Sequence, residues 1–219
     1  MKVVEIFGSI DGEGLRTGQL ATFIRLSGCN LRCCYCDTTY SFDVNNAKDM
    51  SIEDIVNECK SIGFHNITLT GGEPLIHPLV EILIKTLCQQ GFYVNVETNG
   101  SVDLRPFVKI RDEFNLNLFF TVDYKTKYSL MNNRMNINSF NCLDINKDIV
   151  KCVVANIEDM DEALNYLDKI GKFNIWFSPV FNAIEPYQIV DYVKEHKRED
   201  ITTQVQLHKI IWDPNRKGV

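Results

Sequence analysis

Residues 66–100, "NITLTGGEPLIHPLVEILIKTLCQQGFYVNVETNG", contain one complete strand–helix–strand unit. Short runs rich in β-branched residues, at 66–70 and 93–98, flank a segment of helical periodicity at 77–91. Gly91 is a suitable C-cap for that helix. Two strands joined by a helix of this length are typical of a parallel βαβ unit, in which the helix covers the sheet that the strands form.

The same alternation extends in both directions from this unit. The strand-like segments are 21–26, 66–70, 93–98, 116–122, 148–154 and 173–180. Helical periodicity recurs at 51–63, where Ser51 and Asp54 suit a capping box, and at 157–171. The pattern predicts an α/β fold. Because a complete (β/α) barrel usually needs about 250 residues, we expect an incomplete barrel of parallel strands with reduced helices, forming one domain over residues 1–219.

Composition excludes several classes of function. The chain is 45% apolar and 24% charged, with a formal net charge of −6. No dense run of Lys or Arg is present, so nucleic acid is a poor candidate partner. Neither a secretory signal nor an apolar run of about 20 residues occurs, which predicts a cytoplasmic protein without a membrane partner. In a reducing compartment its eight cysteines are unsuited to a disulfide framework.

Polar motifs follow four of the predicted strands. They are GCN after residue 27, GGEP after residue 70, ETNG after residue 96 and DYK after residue 122. In parallel barrels the chemistry lies at the carboxyl ends of the strands. This placement indicates that the four motifs belong to one functional site.

The first of these motifs opens a cysteine-rich turn, "GCNLRCCYCDT", at residues 28–38. Cys29, Cys33 and Cys36 have the spacing C-x3-C-x2-C, which lets three thiolates of one loop converge on an iron–sulfur cube. Three ligands predict a 4Fe–4S cluster with one open iron. Cys34 is interpreted as a bystander, since adjacent cysteines project in different directions. A zinc knuckle that uses Cys34 or a distant fourth ligand is the alternative.

With Tyr35 as the aromatic residue, the cysteine motif resembles C-x3-C-x-Φ-C of the radical S-adenosylmethionine (SAM) enzymes. GGEP and ETNG, in order and each after a strand, strengthen the resemblance. It implies that SAM chelates the open iron and is cleaved to a 5′-deoxyadenosyl radical, which takes a hydrogen atom from the substrate. It also implies close approach of the Gly71–Gly72 backbone to SAM. In the DYK segment only the lysine matches the family's usual S-P-K, and Ser178 is included because it ends the sixth strand. The predicted SAM-binding residues are Gly71, Gly72, Glu73, Thr98, Asp123, Tyr124, Lys125 and Ser178.

Both ends of the chain resemble one branch of that superfamily, the 7-carboxy-7-deazaguanine synthases. The matching segments are "EIFGSIDGEGLRTGQLATFIRLSGCNLRCCYCDT" at residues 5–38 and "VQLHKIIWDPNRKGV" at residues 205–219. The resemblance implies ring contraction of 6-carboxy-5,6,7,8-tetrahydropterin to 7-carboxy-7-deazaguanine with loss of ammonia, a step toward queuosine. It further implies Mg²⁺ held partly by Thr38, a homodimer, and a flavodoxin or ferredoxin as the electron donor.

The residues suit that substrate chemically. Arg25, in an otherwise apolar strand, could clamp a carboxylate through two hydrogen bonds, although a salt-bridged structural arginine is the alternative. Glu13 could accept hydrogen bonds from the amine and ring N–H of a pterin. Asp11 stands where the family usually has glutamine, which leaves that contact an acceptor only. The predicted substrate-binding residues are Ile10, Asp11, Gly12, Glu13, Arg25, Thr70, His208 and Val219.

Two other functions fit parts of the pattern. A glycyl-radical activating enzyme shares the cysteines and GGEP but acts on a partner protein, and it has no need of a pterin clamp. A structural iron–sulfur or zinc module gives no reason for GGEP and ETNG at strand ends. The Asn-rich segment 126–147 is predicted to be a loop or a small helical insert over the barrel.

Overall fold

The computed structural model describes residues 1–214 and 216–219. Its strands are β1 (Lys2–Ile10), β2 (Leu20–Leu26), β3 (Lys48–Asp49), β4 (Asn66–Gly71), β5 (Tyr93–Thr98), β6 (Leu118–Tyr124), β7 (Ile149–Val154), β8 (Ile175–Pro179) and β9 (Ile201–Thr203). Its α-helices are α1 (Ile52–Ile62), α2 (Val80–Gln89), α3 (Arg105–Glu113), α4 (Ile157–Ile170), α5 (Pro186–Glu195) and α6 (Leu207–Ile211).

The strands form one sheet in the order β3-β1-β2-β4-β5-β6-β7-β8-β9. From β2 to β9 every neighbouring pair is parallel, whereas β1 is antiparallel to both β2 and β3. Ser178 of β8 donates to Glu13, in the turn after β1, at 2.7 Å. This contact brings distant strands of the sheet together, so the sheet is curved. An incomplete barrel of parallel strands is therefore confirmed.

All six predicted strands are present, and three further strands extend the sheet. Two of these, β1 and β3, add an antiparallel edge, and β9 adds a short parallel strand after β8. The antiparallel edge was missed because β1 faces partly toward solvent and lacks a continuous buried run. At two and three residues respectively, β3 and β9 are too short to carry a periodicity.

The capping box predicted for α1 is present. Ser51 accepts a hydrogen bond from the Asp54 backbone N–H at 3.0 Å, and Asp54 accepts one from the Ser51 backbone at 3.2 Å. Together they satisfy backbone donors that the first helical turn leaves without partners. At the other end, Gly63 ends the helix with φ +89°, a left-handed conformation that favours glycine. In α2, Gln90 is the C-cap and Gly91 follows with φ +87°.

Side chains alternate between two environments along the parallel strands. One set packs under the helices and forms the apolar core: Ile24, Leu26, Leu69, Val96, Val122, Val150 and Cys152. The other set faces the inside of the barrel and is mostly polar: Arg25, Thr70, Glu97, Asp123 and Lys151. Because successive side chains of a strand point to opposite faces, one set stabilises the fold and the other is available for chemistry.

The loop after β1 closes the amino-terminal end of the barrel. Arg16, 8% exposed, donates to the carbonyls of Ile67 in β4 and Tyr93 in β5, at 3.0 and 2.9 Å. Its Nε also donates to Asp11 Oδ2 at 2.8 Å. A buried cation thus ties this loop to two strand ends, opposite the end at which the polar motifs lie.

Segment 126–147 contains three 3-10 helical turns, at Lys127–Ser129, Asn132–Arg134 and Ile137–Cys142. Of the two alternatives predicted for this segment, a loop or a small helical insert, the short 3-10 turns favour the second. Among the helices of residues 1–214 and 216–219, none combines the length and the apolar character needed to span a bilayer.

Candidate active site

A cavity of about 880 Å³ opens at the carboxyl ends of the parallel strands. Its wall is formed by strand ends, by the cysteine loop, by the turn after β1 and by the carboxyl-terminal segment. Most of the predicted site residues lie on this wall: Ile10, Gly12, Glu13, Arg25, Cys29, Cys33, Cys36, Thr38, Thr70, Gly71, Gly72, Thr98, Asp123, Lys125, His208 and Val219. Residues more than 200 positions apart in the chain therefore share one space.

The cysteine loop follows β2 directly. Cys29, Cys33 and Cys36 all line the cavity and form no disulfide. Burial raises the pKa of the Cys29 and Cys33 thiols, and the Lys125 cation partly offsets this effect at Cys33. Binding to a metal as thiolates would therefore release their protons. Cys34 is exposed and turns away from the cavity, where its thiol donates to the Tyr128 carbonyl at 2.9 Å.

The zinc alternative depends on ligands gathered around one centre. Among residues 1–214 and 216–219, no three His, Cys, Asp or Glu side chains are gathered closely enough to ligate one metal ion. A zinc ion requires its ligands within about 2.0–2.3 Å of a single centre. Cys29, Cys33 and Cys36 all line one cavity, as is needed for a cluster in which each thiolate binds a different iron.

The GGEP turn holds the cysteine loop through backbone contacts. Gly72 N–H donates to the Leu26 carbonyl at 3.0 Å, and Glu73 N–H donates to the Gly28 carbonyl at 2.9 Å. A Cβ at Gly72 would lie 2.2 Å from the Gly28 carbonyl oxygen and 2.8 Å from Cys29 Cβ. Only glycine allows the two loops to approach this closely.

Glu73 joins the GGEP and ETNG turns from beneath the wall. Its carboxylate is fully buried and accepts hydrogen bonds from Leu75 N–H at 3.0 Å, Thr98 Oγ1 at 2.8 Å and Asn99 N–H at 2.6 Å. Burial raises its pKa to about 7, against the effect of these three donors. Its side chain lies outside the cavity, so Glu73 positions the wall that SAM would contact.

A network of buried charges crosses the inside of the barrel. Glu13 accepts from Ser178 Oγ at 2.7 Å and from Gln206 Nε2 at 3.3 Å. Lys151 Nζ lies 3.3 Å from Glu13 Oε2 and 3.3 Å from Asp123 Oδ1. Burial raises the pKa of Glu13, but the Lys151 cation and the Ser178 hydroxyl outweigh it and hold that pKa below its ordinary value. Glu13 is thus a preorganised acceptor.

Arg25 lies on the cavity wall and is also part of an ion pair. Its Nε donates to Glu5 Oε1 at 2.7 Å, and its guanidinium lies 5.8 Å from the centre of the Tyr40 ring. Tyr40 donates to the same carboxylate oxygen at 2.8 Å. The alternative of a salt-bridged arginine therefore holds for Nε, while the side chain still reaches the cavity. This fixed orientation suits recognition of a carboxylate.

The carboxyl-terminal segment covers one side of the cavity. Leu207 N–H donates to the Gly12 carbonyl at 3.1 Å. A Cβ at Gly12 would lie 2.5 Å from His208 Nδ1, so glycine is required for the imidazole to approach this turn. Lys209 pairs with Asp37 at 3.0 Å and so joins α6 to the cysteine loop. Burial lowers the pKa of His208, which favours a neutral imidazole.

Four of the predicted residues have side chains outside the cavity. Asp11 is 2% exposed and is held by Arg16, so its side chain is directed away from a ligand. Tyr124 faces the helices, with its ring 6.2 Å from that of Tyr166. Successive side chains of a strand point to opposite faces, so Tyr124 points away from the face that its neighbour Asp123 shares with the cavity. Ser178, like the buried Glu73, contacts the site through another residue, since its hydroxyl donates to Glu13.

The cavity-lining residues that sequence reasoning missed include Glu97, Lys151 and Gln206, which contact predicted site residues. Glu97 lies inside the ETNG motif and accepts a hydrogen bond from Thr70 Oγ1 at 3.2 Å. A signal for Lys151 was present, because it is the one charged residue in the apolar run IVKCVV, just as Arg25 is in its strand. No local signal marks Gln206, which reaches Glu13 only through the fold.

The wall residues fit the two cofactors that the sequence implies. Three unpaired thiols face one end of the cavity, as a 4Fe–4S cluster requires. The backbone of Gly71 and Gly72 also lines the cavity, and it is packed so closely against residues 26–29 that a Cβ at either glycine would collide with them. The Tyr35 hydroxyl is buried without a hydrogen bond, and Asp123 Oδ1 has only its ion pair with Lys151; both residues line the cavity. Such polar atoms favour a polar ligand there, as SAM would be.

Comparisons with known proteins agree with this geometry. The family model described as the radical SAM superfamily matches residues 23–192. A 7-carboxy-7-deazaguanine synthase of Clostridium acetobutylicum is 44% identical over 227 aligned residues, which cover 100% of this chain and 99% of that protein. One of Chlorobaculum tepidum is 32% identical over 100% of this chain and 97% of that protein.

Solved structures show the same fold. QueE from Escherichia coli superposes with a TM-score of 0.73 at 23% identity, covering 94% of this chain and 93% of that one. Streptococcus suis SuiB bound to S-adenosylmethionine superposes with a TM-score of 0.56 at 13% identity, covering 81% of this chain and 45% of that one.

Proposed function

Because the chain belongs to the radical SAM superfamily and, within it, to the 7-carboxy-7-deazaguanine synthases, we propose that its cavity converts 6-carboxy-5,6,7,8-tetrahydropterin to 7-carboxy-7-deazaguanine. The reaction is a ring contraction with loss of ammonia, in the biosynthesis of 7-deazapurines such as queuosine. The enzyme is a radical SAM lyase whose cofactors are a 4Fe–4S cluster and SAM. When bound, they supply the radical that abstracts a hydrogen atom from the substrate.

One observation carries this proposal: three cysteines and a preorganised carboxylate share a single cavity. The cysteines line one part of it, and Glu13, Arg25 and His208 line another. A volume of about 880 Å³ is large enough to hold SAM and a flat bicyclic substrate together. The full-length similarity to the synthases disfavours the alternative of a glycyl-radical activating enzyme, whose target is a large protein.

The substrate contacts follow from the charges on the wall. Ionised Glu13 is an acceptor only, so it suits the amine and ring N–H groups of a pterin. The Arg25 guanidinium, held by Glu5, suits the pterin carboxylate. Neutral His208 offers one donor and one acceptor beside the same turn. Thr70, Gly12 and Ile10 complete the proposed pterin site, and Val219 lies on the same wall.

Mg²⁺ is the third proposed ligand, at Thr38. This hydroxyl lines the cavity and lies 3.7 Å from Cys36 Sγ. A hard oxygen at the edge of the cavity suits Mg²⁺, which keeps several waters and takes few protein ligands. The substrate carboxylate would complete the coordination. We expect a chelator to lower turnover and added Mg²⁺ to restore it, whereas Thr38→Val raises the Mg²⁺ concentration needed for half-maximal rate.

The remaining partners are proposed on the family resemblance. They are a flavodoxin or ferredoxin that delivers the electron, and a second copy of the chain in a homodimer. Light scattering of the purified protein tests the homodimer directly. A cytoplasmic location is supported by all eight cysteines being free thiols, which is typical of a reducing compartment.

The decisive experiment is anaerobic turnover. The reconstituted protein is given SAM, Mg²⁺, dithionite and 6-carboxytetrahydropterin, and 7-carboxy-7-deazaguanine is measured by mass. We expect product from the wild type and none from Cys29→Ala, Cys33→Ala or Cys36→Ala. Cys34→Ala is the matched control, since its thiol lies outside the cavity, and it should retain turnover. Formation of 5′-deoxyadenosine without pterin conversion would contradict the substrate and point to a protein target.

A further inference from the structure

Lys151 is a buried cation at the centre of the barrel to which the sequence assigned no function. It is 7% exposed and lies on β7, in register with Asp123 of β6. Its Nζ lies 3.3 Å from Asp123 Oδ1 and 3.3 Å from Glu13 Oε2. One ammonium group therefore bridges a residue of the proposed pterin site and a residue of the proposed SAM site.

We propose that Lys151 is a positioning residue of the ring contraction, holding Glu13 ionised and aimed at the N–H groups of the pterin. The inference rests on the proposed function, because it assumes that Glu13 binds the substrate. Lysine suits this role because an ammonium group has three donors and can contact two carboxylates at once.

The surrounding charges explain why a cation is needed at this position. Facing Glu13 are Asp123 from β6 and Glu97 from β5, with His208 on α6. Three buried carboxylates thus lie around Lys151, and burial raises the pKa of Glu97 despite its presence. Asp123 has a second cation, Lys125, at 2.7 Å. Among the described residues, Lys151 is the only cation that forms an ion pair with Glu13.

Removal of the Lys151 charge therefore changes Glu13 in a definite direction. Burial raises the pKa of Glu13, and without the cation the remaining donors, Ser178 and Gln206, oppose burial alone. A protonated Glu13 presents a hydroxyl donor toward a substrate edge that consists of donors. Pterin binding should then weaken at neutral pH and recover as rising pH ionises Glu13.

The test is the pH dependence of pterin binding to the holoprotein, measured by anaerobic calorimetry with SAM and without reductant, so that no turnover occurs. For Lys151→Met we expect at least about tenfold weaker binding near pH 7, the effect of losing one hydrogen bond to a charged group. Binding should strengthen between about pH 7 and pH 9, whereas wild-type binding stays flat because its Glu13 is already ionised. Lys151→Arg keeps the charge and should keep the flat profile.

Two further variants separate this role from a structural one. Lys147→Met removes an exposed lysine just before β7 and should bind like the wild type. In a Glu13→Gln background, Lys151→Met should cause little further loss, because no carboxylate remains to be held. This double variant also removes the buried unpaired charge, and it provides the test if Lys151→Met alone fails to fold.

Each result decides a separate question. Equal weakening at every pH, or additive losses in the double variant, would overturn the role of Lys151 and leave the proposed function intact. Wild-type binding by the Lys151→Met protein would do the same. A wild-type protein that binds SAM but no pterin would overturn the proposed function and, with it, the role given to Lys151.

Discussion

Gly72 decides how closely the GGEP turn approaches the cysteine loop. Gly72→Ala places a Cβ 2.2 Å from the Gly28 carbonyl and 2.8 Å from Cys29 Cβ, so the cysteine loop must move. Overpacking of this kind costs about 1–3 kcal/mol. We expect the variant to lose most of its iron on purification, measured as iron per chain and as absorbance of the cluster.

Gly63→Ala is the matched control for this change. Gly63 has φ +89° and nothing within 4 Å of an added Cβ, so alanine there strains the backbone without touching the site. The control should lose about 1 kcal/mol of stability and keep its iron. Equal iron in the two variants would contradict the importance of this close approach.

Glu73 illustrates a residue that acts through its neighbours. Its two oxygens accept three hydrogen bonds, from Leu75, Thr98 and Asn99. In Glu73→Gln, one oxygen becomes an amide that faces at least one of these donors, whichever way it is turned. Losing a buried hydrogen bond costs about 1–3 kcal/mol. Chemical unfolding should show this loss, and SAM affinity should fall as the Thr98 turn loosens.

The exposed Glu58 of α1 provides the control for this prediction. Glu58→Gln changes the same chemical group in the middle of a solvated helix face, where surface substitutions stay within about 0.5 kcal/mol. A Glu73→Gln protein as stable as Glu58→Gln, with unchanged SAM affinity, would show that the buried carboxylate does not hold the two turns together.

At the residue scale, the sequence locates the residues of the local binding motifs better than the residues that hold them in position. Cys29 and Gly72 belong to dense local motifs, so their spacing alone brings them to notice. Lys151 and Gln206 both meet Glu13 across long separations in the chain. No pattern in a single sequence encodes such pairs, because only the register of the sheet brings them together. Tyr124 is the exception: strand alternation by itself could have placed it outside the site.

At the scale of elements, α6 and the residues after it act as one wall of the pterin site. None of the residues of α6 is fully buried, yet His208 and Lys209 line the cavity. A chain that ends after Gln206 keeps the Glu13 contact of that residue but loses this wall. We expect cluster loading and SAM cleavage to persist, while product formation falls at least about a hundredfold because the substrate is no longer positioned.

The control variant keeps α6 and changes only the side chains on its exposed face. Ile210 and Ile211 are 65% and 52% exposed and do not line the cavity. Serine at both positions should leave product formation close to that of the wild type. The role assigned to this wall fails if the shortened chain converts the pterin at the normal rate, or if the double serine variant loses activity as severely as the truncation.

Elements are predictable from sequence where a long buried run or a cap marks them. The six strands under the helices were found because both of their neighbours are strands and their runs are apolar. Helix α1 was found from Ser51, Asp54 and its apolar face. Strand β1 is partly solvated along most of its length and so lacks a buried run, while β3 and β9 have two and three residues, so no apolar run or periodicity distinguishes these strands from loops.

At the scale of the whole molecule, one end of the barrel is for chemistry and the other is for closure. The polar motifs meet at the carboxyl ends of the strands, whereas Arg16 closes the amino-terminal end. It contacts Asp11, Ile67, Thr68 and Tyr93, and its guanidinium lies 5.0 Å from the centre of the Phe119 ring. The loop that carries Asp11 also carries Glu13. By anchoring this loop at the amino-terminal end of the barrel, Arg16 also helps to hold Glu13 in the cavity.

Arg16→Met therefore tests the stability of the whole barrel. The change leaves Asp11 buried without its cation, which costs about 3–5 kcal/mol at neutral pH. Arg16→Met combined with Asp11→Asn removes both charges and should regain part of that loss. Anaerobic denaturant titration of the wild type and both variants measures the free energy of unfolding of each. The results give the stability lost in Arg16→Met and the part regained in the double variant.

The pH dependence of this loss has a definite sign. Burial raises the pKa of Asp11 above its ordinary value even with Arg16 present, and without Arg16 that pKa rises further. A carboxyl whose pKa is raised by folding contributes its stability below the unfolded pKa, and this contribution disappears as pH increases through the folded pKa. The gap in unfolding free energy between wild type and Arg16→Met should therefore narrow on acidification from about pH 8 to pH 5. In the double variant, which has no carboxyl at position 11, the gap should not narrow. A gap that widens toward acid for Arg16→Met would mean that the Asp11 carboxylate is not the group that Arg16 neutralises.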